Sequence, residues 1–115
     1  MNLPKKKRQN QIPLLFQERI KEAKEKKLNK LDLSGSYSSK NDAKLAEIPG
    51  DVWELEQLEI LDLSGNQLTS IPESISQLSN LTRLDLSYNQ LTSIPELISQ
   101  LSNLTRLDLS YNQLT

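Results

Sequence analysis

Side chains able to do chemistry recur in this chain at fixed intervals. Asp32, Asp62, Asp85 and Asp108 are each followed two residues later by a serine: Ser34, Ser64, Ser87 and Ser110. Two residues before each aspartate stands Lys30, Ile60, Arg83 or Arg106, and directly after each serine stands Gly35, Gly65, Tyr88 or Tyr111. A serine beside a carboxylate first suggests nucleophilic catalysis. The chain has no histidine and no cysteine, however, so neither a histidine-based triad nor a thiol nucleophile can be assembled. Its glycines are Gly35, Gly50 and Gly65, and no phosphate loop of the GxxxxGK(S/T) type is present. Zinc lacks its usual ligands. A row of carboxylates invites calcium, but calcium takes roughly six to eight oxygens and nothing beside the row supplies the rest. The expectation is therefore a non-enzyme, with no catalytic, cofactor-binding or metal-binding residue.

What remains is recognition. Tyrosine and arginine are enriched among residues that dominate binding energy. The expected partner-binding surface is Arg83, Asp85, Ser87, Tyr88, Arg106, Asp108, Ser110 and Tyr111. Like charges about 5 Å apart in water cost only roughly 0.8 kcal/mol per neighbouring pair, and adjacent arginines offset that. A solvated, mutually neutralised face thus competes with the partner surface as a reading of the same columns.

The columns exist because the chain repeats. Residues 58–80 read LEILDLSGNQLTSIPESISQLSN, residues 81–103 read LTRLDLSYNQLTSIPELISQLSN, and LTRLDLSYNQLT begins again at Leu104. Leu58, Leu61, Leu63, Asn66, Leu68, Ile71, Ile75 and Leu78 return 23 residues later as Leu81, Leu84, Leu86, Asn89, Leu91, Ile94, Ile98 and Leu101. Leu84 and Leu86 alternate with Arg83, Asp85 and Ser87, the period of a strand with one apolar face. Ile94-Pro95-Glu96 then opens a short helical turn, with Ser93 and Glu96 at capping-box spacing. A single coil of this kind cannot bury its leucines on both flanks, so neighbouring coils must stack. Asn66, Asn89 and Asn112 carry amides with donors and acceptors together, suited to the buried backbone of each turn.

The pattern LxxLxLxxNxL, present three times in register, resembles the leucine-rich-repeat family from about Leu28 to Thr115. The resemblance implies an α/β solenoid. Its coils are right-handed, with a parallel sheet on the concave face, short helices on the convex face and an N-terminal helical cap. LDLSxNQLTSIPExIxxL after the leader ERIKEAKEKKLNKLDLSG is similar to the repeat arms of bacterial, especially cyanobacterial, Roco proteins and of plant Ras-group-related repeat proteins. That likeness implies a sensor arm preceding a Ras-like GTPase. A protein-interaction scaffold is the first expectation, and the arm of a larger Roco-type GTPase the second.

In chain order, residues 1–12 with Lys5, Lys6, Lys7 and Arg8 form an expected disordered basic tail, readable also as a nuclear-import or anionic-surface signal. Residues 13–27 form a cap helix. Phe16, Ile20 and Ala23 share one face, Glu22 and Lys26 are a favourable i, i+4 pair, and the last turn is rich in lysine. Residues 28–57 are a long first repeat, in which Ser36 replaces the turn asparagine and Asn41 lies in an inserted loop. Repeats 58–80 and 81–103 follow, and residues 104–115 are a partial coil. Trp53 aligns with Ser76 and Ser99, which makes it an expected convex contact, or alternatively a shield for the long loop. The text stops in mid-repeat with no C-terminal cap, so a fragment of a longer array is expected, prone to self-association or fraying at its last coil.

Composition bounds the rest. The net charge of −1 argues against general nucleic-acid binding. The charge is split: twelve lysines and arginines against five acids in residues 1–44, and two against ten from Leu45 onward. This split would steer an acidic partner toward the N-terminal end. Without cysteines, a signal peptide or a membrane span, the cytoplasm is the expected location.

Overall fold

The computed structural model describes residues 12–35 and 44–115. The basic run Lys5–Arg8, Ser36 and Asn41 lie outside the described residues. Helix α1 spans Leu14–Lys26, close to the expected 13–27. Phe16, Ile20 and Ala23 are its buried residues, so the apolar stripe covers the flank of the first coil. The helix ends at Lys27 in the left-handed conformation, and Leu28 N–H reaches back to Ala23 O at 3.0 Å, the six-to-one bond of a Schellman termination. Gln57 Nε2 donates to Ala23 O and Leu28 O, tying that end to the coil beneath. Lys26 meets Glu22 at 3.0 Å, the i, i+4 pair read from the sequence.

Strands β1 (Lys30–Asp32), β2 (Ile60–Asp62), β3 (Arg83–Asp85) and β4 (Arg106–Asp108) form one parallel sheet in chain order. Their register pairs Lys30 with Ile60, Ile60 with Arg83 and Arg83 with Arg106, and likewise along the aspartates. The columns inferred from the repeat are therefore columns in space. Leu31, Leu61 and Leu84 share one interior with Leu33, Leu63 and Leu86. Leu107, on the last coil, is 36% exposed, because β4 has no described neighbour on its far side.

After each of the first three strands comes a five-residue 3-10 turn, at Gly50–Glu54, Glu73–Gln77 and Glu96–Gln100. The capping box expected at Ser93 and Glu96 is not formed. Pro49, Pro72 and Pro95 stand at the cap itself, and no side-chain cap bond is made. Five residues between a proline and the returning leucine are too few for a settled α-helix, so the tighter helix is used.

The turn asparagines do what the sequence asks of them. Asn89 Nδ2 donates to Leu63 O in the preceding coil and to Leu86 O and Ser87 O in its own, while its Oδ1 accepts from Leu68 N–H at 3.0 Å. Asn66 and Asn112 repeat the arrangement one coil earlier and one later. A second ladder was not legible in advance. Asn80 Nδ2 donates to Glu56 O and Asn103 Nδ2 to Ser79 O, while Thr82 and Thr105 hydroxyls donate to Glu59 O and Thr82 O. Among the described residues no buried side-chain polar atom lacks a partner.

Two expected outcomes follow. Asn89→Ala strands Leu68 N–H inside the stack and takes one of two donors from Leu63 O, and it is expected to lower unfolding stability by about 2 kcal/mol in a urea titration. Asn112→Ala, on the half-covered last coil, should cost less than half as much. Phe16→Ala should cost about 3–5 kcal/mol through the loss of the cap, read in the same titration.

Candidate protein-binding face

The concave wall carries the expected columns. Arg83, Arg106, Tyr88 and Tyr111 are exposed, and a hollow of ≈ 180 Å³ runs across the strands between Lys30, Arg83 and Arg106 on one side and Asp62, Asp85 and Asp108 on the other. Regular parallel pairing is what places like residues side by side at about 4.8 Å intervals.

The aspartate row is more constrained than its spacing indicated. In every coil the aspartate Oδ1 accepts two bonds from the serine two residues on. For Asp85 these come from Ser87 N–H at 2.9 Å and the Ser87 hydroxyl at 2.6 Å. Asp32, Asp62 and Asp108 make the same pair with Ser34, Ser64 and Ser110. This is the local side chain-to-backbone turn typical of aspartate. The Ser110 hydroxyl and backbone bonds, with Arg106 nearby, hold the Asp108 carboxyl below its ordinary value of 3.8 against a small opposing effect of burial. For Asp32 burial is the largest influence and pushes upward, but the Ser34 bonds, Arg19 and Lys30 together bring the net shift below 3.8.

These contacts correct part of the expected surface. Ser87 is only 5% exposed and its hydroxyl is spent on Asp85, so it is a clamp rather than a contact. Ser110 is exposed, but its hydroxyl is spent on Asp108 in the same way. At Asp85 and Asp108 the serine bonds fall on Oδ1 alone. Trp53 does not stand out on the convex side: it is 8% exposed and belongs to the core. Lys24 of α1 reaches Glu54, the residue after Trp53, in an exposed ion pair at 3.7 Å.

The tyrosines carry the least expected geometry. Tyr88 and Tyr111 stack with ring centroids 4.3 Å apart and planes 9° from parallel. Both backbones are left-handed, with φ of 56° and 57°, where the equivalent coil has Gly65 at φ 69°. A residue with a Cβ pays roughly 1 kcal/mol or more for that conformation. The sequence showed tyrosine in a glycine column, which was the available signal; the stack itself requires the register.

The described residues contain no group of acids suited to a metal ion, and no helix among them is long and apolar enough to cross a membrane. Residues 56–114, just over half of the chain, match the leucine rich repeat family model. No curated relative matches the chain. Among solved structures it is similar to a leucine-rich-repeat protein of Leptospira interrogans, with 42% identity and a TM-score of 0.67 over 76% of this chain and 21% of that one. It is also similar to an internalin from Listeria monocytogenes, with 27% identity and a TM-score of 0.58 over 84% of this chain and 32% of that one. This chain thus spans less than a third of the length of the first of these and about a third of the second. Four in-register coils, their asparagine ladder and the family match agree: the chain belongs to the leucine-rich-repeat family.

Proposed function

We propose that this chain is a protein-interaction module that holds its partner on the concave wall, with Arg83, Asp85, Tyr88, Arg106, Asp108 and Tyr111 as the contact residues. Repeats of this family are generally used for protein interaction, and the chemistry of this wall fits that use. The observation that carries the reading is the Tyr88–Tyr111 stack. Two large aromatic side chains are kept 46% and 69% exposed at positions where glycine would fit the backbone without strain. Exposed residues held in a strained backbone conformation point to function. Stacked rings also meet a partner with little further entropy to lose.

A second reading rests on LDLSxNQLTSIPExIxxL and its charged leader. In that reading the repeats are the sensor arm of a larger Roco-type GTPase, with nucleotide hydrolysis carried elsewhere in the protein. A GxxxxGK(S/T) phosphate loop encoded downstream of Thr115 in the same reading frame supports this arm; a full-length frame without one removes it.

The concave reading is tested by Tyr88→Gly combined with Tyr111→Gly. Relief of backbone strain and loss of the stack nearly offset, so stability should stay within about 1 kcal/mol of the parent. Capture of protein from a lysate on the immobilised chain should fall by at least about tenfold. Equal capture by a folded double variant would remove this wall as the contact surface.

A further inference from the structure

The four concave aspartates are committed to their own turns, each through Oδ1 to the following serine. That bond points Oδ1 toward the serine two residues on, whereas the basic residue stands two residues before the aspartate on the same strand. Among the described residues the row makes one ion pair, Arg19 with Asp32 at 3.8 Å, and that arginine comes from the cap helix. Arg83 and Arg106 form none. They stand exposed and in register on β3 and β4, beside the half-buried Ile60. Arg106 still acts on Asp108 through space, so the two columns balance at a distance, but neither arginine is closed into an ion pair among the described residues. Two aligned guanidiniums left out of ion pairs keep their donors open to carboxylate oxygens.

We propose, building on the protein-binding reading above, that the partner presents an acidic segment, with carboxylates on Arg83 and Arg106 and a flat ring or proline against the Tyr88–Tyr111 stack. Aromatic rings beside arginines also suit single-stranded nucleic acid. The aspartate row argues against it here. Asp85 and Asp108 lie two residues along the strand from the arginines, about 6.6 Å of backbone rise, and would meet an unbroken phosphate backbone with like charge. A protein segment escapes that repulsion by alternating acids with neutral or basic residues.

The test uses the 115-residue chain and fluorescence anisotropy with four labelled probes: a short glutamate-rich peptide with a central tyrosine, its glutamine and lysine counterparts, and a short oligothymidylate. The glutamate peptide is expected to bind most tightly and to weaken with added salt. Arg83→Gln with Arg106→Gln should weaken it by at least about tenfold, and Arg83→Lys with Arg106→Lys should recover part of the loss. The unfolding midpoint confirms that each variant is folded. Tightest binding of the glutamine, lysine or oligothymidylate probe overturns the acidic partner, as does indifference of the glutamate peptide to the double glutamine variant. If a probe is released by Tyr88→Gly with Tyr111→Gly but not by the arginine variants, the acidic partner alone fails and the concave wall stands. If no probe responds to either pair, both fail.

Discussion

A solenoid coil bends its backbone inward once per repeat, and the amides at that bend cannot reach water. Leaving even one such group unpaired costs more than a typical hydrogen bond contributes. In this protein Asn66, Asn89 and Asn112 meet much of that demand, and they do so across the boundary between coils. Asn89 serves carbonyls at Leu63, Leu86 and Ser87 and takes the N–H of Leu68, so two successive coils are incomplete without each other. The leucines impose the same dependence through area. Leu84 is buried because Leu61 and the next coil flank it, while Leu107 is partly open because its coil has a described neighbour on one side only. Polar and apolar requirements thus point along one axis, and stability accumulates by nearest-neighbour contacts.

Because the interior settles the stacking, the residues on the concave side are released from structural duty, though not all equally. Each aspartate gives Oδ1 to the turn, and Asp32 also holds Arg19 through Oδ2. Each serine is wholly structural, its hydroxyl at 2.6 Å from the aspartate in every coil. The arginines have no such task among the described residues. A row that reads as alternating charge is therefore three different things: a clamp, a half-clamp and a free cation.

The parts legible in the sequence are those carried by period and residue type. The strand columns, the buried face of Phe16, Ile20 and Ala23, and the role of Asn66, Asn89 and Asn112 all follow from spacing, since a repeat in sequence becomes a column once strands pair in register. What was not legible depends on contacts between different parts of the repeat, or on exceptions to it. Asn80 and Asn103 look like ordinary loop residues until the neighbouring coil brings Glu56 O and Ser79 O within reach. Trp53 is buried and so not the convex contact, because its alignment with Ser76 and Ser99 assumes identical surroundings, which the first coil does not share. The capping-box spacing was real but the five-residue 3-10 turn begins directly after proline, which left the serine outside it.

The fourth column separates what the fold needs from what it merely permits. Gly35 is required by space: a Cβ there would meet Gly65 O at 1.9 Å. Gly65 is suited by conformation, at φ 69°. Tyr88 and Tyr111 occupy the same column with neither advantage, and stacking recovers only about 0.5–1.5 kcal/mol of the strain they introduce. Near-identical coils should share the cheapest residue at each position if folding alone were selected. The coils agree at leucine, asparagine, aspartate and serine, where the interior and the turn dictate the choice. Coils 58–80 and 81–103 differ at Glu59/Thr82, Ile60/Arg83, Gly65/Tyr88 and Ser74/Leu97, none of them a position that the interior dictates. Of these exchanges only the one from Gly65 to Tyr88 works against the backbone, and Tyr111 repeats it one coil later.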